Sequence, residues 1–104
     1  MIFEELKALV YQFGYENDLY SKCTIKSQID KVEEEWNEFK ATLLENDIQS
    51  TEEEAGDVQK AFLNLLKMLN LIPEQCLYRA IEKNKNRIYH VVDGKLLRED
   101  KIDN

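Results

Sequence analysis

The sequence predicts an all-α fold, and three observations carry that expectation. Its 104 residues contain only 3 Gly and 1 Pro, too few turn-forming residues for a many-stranded sheet. Two long stretches place apolar residues at alternating steps of three and four, the period that lines one face of a helix. A single turn-forming pair, Asp93-Gly94, lies between short apolar runs, so any sheet is confined to one small C-terminal β-hairpin. The length allows one domain. The helical domain is expected over 1–92, with 93–104 as a C-terminal tail that joins the hairpin.

In the first helix Phe3, Leu6, Val10 and Phe13 keep helical spacing, and Gly14 marks an end or a kink. From Tyr15 to Thr24 no period is sustained, which reads as an irregular connection. The second helix is clearer: Ile29, Val32, Trp36, Phe39 and Leu43 form one stripe, expected to face the core. Asn46 to Ser50 interrupts the pattern. Thr51 with Glu54 three residues later has the form of a capping box opening the third helix. That helix repeats the steps with Ala55, Val58, Phe62, Leu65 and Leu69 and ends near Asn70. Pro73 suits the first turn of a fourth helix, which carries Leu77, Ala80 and Ile81 and extends toward Ile88. Val91-Val92 and Leu96-Leu97 flank the hairpin turn, and the charged end beyond Arg98 is expected to fray.

Fourteen Lys and Arg against 21 Asp and Glu give a net charge of −7, a balance that repels a phosphate backbone and argues against nucleic acid as partner. The longest mostly apolar run, Ala61 to Ile72, contains Lys67 and falls short of the about 20 residues of a membrane span. The first residues lack the basic and apolar regions of a signal peptide, so a cytoplasmic protein is expected, with no membrane partner. Cys23 and Cys76 stand far apart and read as reduced thiols without an assigned role. Four short helices leave apolar area uncovered, so a homo-oligomer is expected.

The chemistry-bearing residues are acidic. Glu35 and Glu38 are three apart on the second helix, and Glu54 and Asp57 are three apart on the third. Each pair flanks the same edge of its apolar stripe, and a short connection makes the two helices antiparallel neighbours, so the four carboxylates converge on one side of the hairpin. Like charges at i,i+4, such as Glu34 with Glu38, each cost roughly 0.2–0.5 kcal/mol when bare. A hard divalent cation would offset that cost, and Mg²⁺ takes oxygen ligands jointly from carboxylates and phosphates. A di-iron site would want Glu-x-x-His pairs and zinc would want Cys or His, whereas the one histidine, His90, lies outside both pairs. The competing reading is a solvated acidic face. Gly56, between the two acids of the third helix, costs about 1 kcal/mol relative to Ala and would let another helix approach closely.

Glu34-Glu35-Trp36-Asn37-Glu38 followed by Glu54-Ala55-Gly56-Asp57 resembles the Glu-Glu-x-x-Glu and Glu-x-x-Asp signature of MazG-like nucleotide pyrophosphohydrolases, the all-α NTP pyrophosphatase superfamily. Lys83-Asn84-Lys85-Asn86-Arg87 is similar to the basic segment that follows on the fourth helix in many members, and the resemblance covers about residues 3–92. It implies a four-helix MazG-like bundle assembled as a homodimer or homotetramer, with Mg²⁺ (Mn²⁺ as the alternative) in the acidic site. It implies hydrolysis of a nucleoside triphosphate to the monophosphate and pyrophosphate. By the same resemblance Glu35, Glu38, Glu54 and Asp57 are metal ligands, and Glu34 orients or deprotonates the attacking water. Lys83 and Arg87, one turn apart, balance triphosphate charge, and Lys60 is a further candidate for that role. The alternatives are a phosphoribosyl-ATP pyrophosphohydrolase and a non-catalytic acidic helical interaction module. Trp36 is bulkier than the aliphatic residue expected there and is assigned to the core.

Overall fold

Helix α1 (Phe3–Glu16) opens the chain in the computed structural model, which describes residues 1–102. Gly14 lies inside this helix rather than at its end. The ring of Tyr20 sits 2.6 Å from where a Cβ on Gly14 would be, so the position has room only for glycine. Asp18 then takes a left-handed conformation (φ 59°) and the chain forms a four-residue helix, α2 (Leu19–Lys22), where an irregular connection was expected. A tertiary bond accounts for the difference: the Tyr20 hydroxyl donates to Asn64 Oδ1 at 2.6 Å, a stabilisation that local periodicity does not register.

Helix α3 (Ile25–Thr42) is the expected second helix. Thr24 Oγ1 accepts from Ser27 N at 3.0 Å and Ser27 Oγ accepts from Thr24 N at 3.1 Å, a reciprocal cap. Helix α4 (Ile48–Met68) begins four residues earlier than the Thr51–Glu54 capping box predicts. Asp47 is the cap: its Oδ1 accepts from Gln49 N at 3.1 Å and Ser50 N at 3.4 Å. The Thr51 hydroxyl donates back to Asp47 O at 3.0 Å, inside the first turn. The helix ends as expected, with Asn70 left-handed (φ 58°) and Leu71 N donating to Leu66 O at 2.9 Å.

Helices α3 and α4 pack along most of their length, and α1 lies against α4 and α2. The surface buried in this packing overlaps the predicted stripes only in part, since Val32, Phe39, Ala55, Val58 and Leu65 are half-buried while the other stripe residues are open. Trp36 is 47% exposed and Phe62 49% exposed, with Ile29, Leu43 and Leu69 also open. Buried on α3 are Gln28, Glu35 and Thr42, one residue every seven, and buried on α4 are Ala61, Leu63, Asn64 and Leu66. Periodicity locates an apolar face but not the element that covers it, and here the α3–α4 seam is the polar edge beside that face.

Residues 1–72 form one compact unit and the chain from Pro73 forms a second. The second holds α5 (Pro73–Asn84) and an antiparallel hairpin of β1 (Tyr89–Val92) with β2 (Lys95–Arg98), in the register Tyr89 with Arg98 through Val92 with Lys95. Asp93 and Gly94, both at positive φ, form its turn, so the expected 92/93 boundary falls within one hairpin. Past Arg98 a 3₁₀ turn, Glu99–Lys101, is tied by Arg98 Nε to Asp100 Oδ1 at 2.6 Å, where fraying was expected; the last two residues of that expectation lie outside the described residues. The fold is therefore mainly helical with one small sheet. Among the described residues no helix is long and apolar enough to cross a membrane.

Asp47 yields a test of the α4 start. Hydrogen bonds from the Ser50 side chain and backbone hold its carboxyl below the usual range. Its contribution is thus present above the ordinary carboxylate pKa and lost as the pH falls through the depressed one. Asp47→Ala is expected to lower Tm by roughly 4–8 °C, and Asp47→Ser to retain most of the stability with a flatter acid profile. Melts of Asp47→Ala that coincide with wild type would place the cap elsewhere.

Candidate metal centre

The hairpin runs antiparallel, with Gln28 meeting Ala61 toward one end and Glu38 meeting Glu54 toward the other. One carboxylate oxygen from each of Glu35, Glu38 and Glu54 lies within 4.8 Å of the other two. Oxygens on opposite sides of one Mg²⁺ are about 4.2 Å apart, twice the metal–oxygen distance, so small rotamer adjustments suffice to bring the three onto one ion.

Glu35 is the buried member, 7% exposed. Its Oε1 is 2.9 Å from Lys31 Nζ, and Lys31 also reaches Glu34 Oε1 at 3.5 Å. The second oxygen, Oε2, is buried without a hydrogen-bond partner, and so is Oε2 of Glu54. Two orphaned carboxylate oxygens in one cluster need a cation or donors from outside the protein.

The electrostatics agree. The charge of Glu35 holds the Glu38 carboxyl above its usual range, with a lesser push from Glu54. Partial burial raises the Glu54 carboxyl, helped by the charges of Asp57 and Glu35. The hydrogen bond to Glu35 raises Lys31. One ammonium therefore serves one side of the cluster and leaves repulsion on the other. The donor set is all carboxylate oxygen, the ligand type of hard divalent cations.

The other site residues predicted from sequence are distributed differently. Asp57 follows Glu54 by one turn and lines, with Glu35, a cavity of about 370 Å³, but it is not among the three converging carboxylates. Glu34 is exposed and paired with Lys31. Lys60 lines the same cavity and sits over the Phe13 ring at 5.2 Å. Lys83 is in the last turn of α5. Arg87 lies beyond the end of that helix, its guanidinium donating to Asn84 Oδ1 at 3.2 Å, so the two are not one helical turn apart as expected. Trp36 is half-exposed beside Phe39 rather than in the core. Among the described residues nothing of the first unit lies within 4 Å of a Cβ built on Gly56, so α1 and α3 do not use the approach it allows. Lys31, four residues before Glu35, was missed; its i,i+4 spacing is the signal that could have found it.

Glu38→Gln separates a cation site from a solvated face. With its folded pKa raised, ionised Glu38 detracts from stability as the pH rises through the carboxylate range. Without divalent cation the variant is thus expected to melt level with wild type in acid and above it at neutral pH. Wild type is expected to gain Tm with Mg²⁺, and the variant to bind the ion at least roughly 10–100-fold more weakly. Equal cation-dependent shifts in both proteins would remove Glu38 from the site. Comparisons with protein-family models, with curated proteins and with solved structures gave no match, so the assignment rests on the residues themselves.

Proposed function

We propose that Glu35, Glu38 and Glu54 hold a divalent cation, Mg²⁺ or Mn²⁺, and that the chain is a nucleoside triphosphate pyrophosphohydrolase releasing pyrophosphate and a nucleoside monophosphate. The observation that carries the reading is Glu35, a buried carboxylate with one oxygen on Lys31 and the other unpartnered beside two more acids. The likeness of the Glu34–Glu38 and Glu54–Asp57 segments to the MazG-like signature supplies the reaction class.

Bound there, the cation would neutralise phosphate charge and make a water more acidic, which is most of what phosphoryl transfer asks of a protein. In this proposal water attacks the α-phosphorus, the bond to the bridging oxygen breaks, and pyrophosphate leaves. Glu34 orients the water or takes its proton, and Asp57 supplies the fourth carboxylate. Lys60 borders the adjoining cavity and meets substrate charge. Lys83 and Arg87 enter this role through the resemblance alone. A homo-oligomer, dimer or tetramer, belongs to the same proposal. The exposed faces of α3 and α4 and an apolar cleft of about 470 Å³ between α1 and α4, lined by Phe3, Leu6, Phe13 and Leu63, are surfaces that a second copy would cover.

The test is a panel of ribo- and deoxynucleoside triphosphates with Mg²⁺, scored for pyrophosphate. Cation-dependent release is expected, falling at least about 100-fold in Glu38→Gln and Glu54→Gln. A cation-dependent Tm rise without pyrophosphate from any triphosphate would refute the activity and keep the metal site. Turnover confined to phosphoribosyl-ATP would move the reaction to that substrate, and the absence of both signals would favour the interaction module.

A further inference from the structure

The hairpin carries a second polar level beyond the carboxylates. Gln28 precedes Glu35 by seven residues on α3, and Asn64 follows Asp57 by seven on α4. Because the helices are antiparallel, the two amides share one level, about 10 Å along the hairpin from the acids. They are 5% and 6% exposed, and they line the 370 Å³ cavity that Glu35 and Asp57 also border.

Each amide has one of its two polar atoms engaged. Gln28 Nε2 donates to the Ala61 carbonyl at 3.0 Å, which fixes the orientation and leaves Oε1 over. Asn64 Oδ1 accepts from the Tyr20 hydroxyl at 2.6 Å, leaving Nδ2 over. Burial pushes the Tyr20 hydroxyl up to about 12, so it keeps the proton it donates. Among the described residues the structure gives no hydrogen bond to Gln28 Oε1 or Asn64 Nδ2, and neither atom is sealed from solvent without a partner as Glu35 Oε2 and Glu54 Oε2 are. Two nine-tenths-buried side chains thus present an acceptor and a donor to one cavity, where both atoms are open to a ligand.

The chemistry restricts which ligand suits both atoms. A bare phosphate has no donor for Gln28 Oε1 and gains nothing from neutral amides when two lysines are at hand. A planar heterocycle with a donor and an acceptor on neighbouring edge atoms satisfies both, as Asn and Gln do when they read base edges. Phe13 and Leu19 in the cavity wall supply apolar surface for such a ring, and the volume lies in the range of small-molecule sites.

We propose that the cavity at Gln28 and Asn64 seats the nucleobase of a nucleotide whose phosphates meet the carboxylate level. The phosphate half of this statement rests on the proposed pyrophosphohydrolase reading; the base half does not.

The experiment titrates the ¹⁵N-labelled chain with uncharged nucleosides of each base, without metal, and separately with inorganic tripolyphosphate plus Mg²⁺. The side-chain amide signals of Gln28 and Asn64, assigned from Gln28→Leu and Asn64→Asp, are the readout. At least one nucleoside is expected to shift both signals, tripolyphosphate neither. Asn64→Asp keeps the acceptor for Tyr20 and replaces the free donor by an acceptor, so it tests the site without emptying the core. It is expected to weaken nucleoside binding roughly tenfold or more, with the Mg²⁺-dependent rise in Tm retained. Nucleosides that leave both signals unmoved while a triphosphate binds would overturn the seat, as would equal nucleoside affinity in wild type and Asn64→Asp. Nucleoside binding without pyrophosphate release from any triphosphate would support the seat and sink the reaction, which keeps the two failures apart.

Discussion

Burying a carboxylate between two helices obliges the surrounding chain to supply positive charge or donors, and Glu35 sets that requirement for the whole hairpin. Lys31, one turn earlier on the same helix, meets half of it at 2.9 Å. The other half is left open by the chain and is sharpened by Glu38 and Glu54, whose carboxyls are both held above their usual range. An apolar residue at position 35 would pack more cheaply. Packing alone therefore does not explain the placement.

The polar seam also shapes the rest of the first unit. With Gln28, Glu35 and Thr42 turned into the α3–α4 contact, Ile29, Trp36 and Leu43 of the α3 stripe are left open, and among the described residues the fully buried apolar core is Ala61, Leu63 and Leu66. Exposed aromatic and aliphatic surface on both hairpin helices is the counterpart of polar residues buried inside the hairpin.

What could be read in advance was what depends on near neighbours in sequence. The α3 and α4 helices, the stop at Asn70, the start at Pro73 and the Asp93-Gly94 turn each follow from spacing or from one residue's conformational preference. The pairing of Glu35 and Glu38 with Glu54 was legible for the same reason, since a step of three on two antiparallel helices brings acids together. The remainder depends on distant partners. α2 is held by a tyrosine reaching 44 residues along the chain, and the open side of Trp36 depends on which helix edge meets α4. The start of α4 was misplaced because two competent caps, Asp47 and Thr51, stand four residues apart and only one has extended backbone geometry. Gln28 and Asn64 look like ordinary surface amides until the hairpin register sets them opposite one another.

The seven-residue interval between the amide and acid levels makes the hairpin a ruler. Each residue turns an α-helix by about 100°, so one inserted residue between Gln28 and Glu35 would swing the amide out of the seam while Glu35 stayed in it. Seven inserted residues would restore the facing but lengthen the gap by about 10 Å. The distance between the two levels is thus quantised by helical phase, and point substitution along α3 can change the chemistry at either level without changing the span between them.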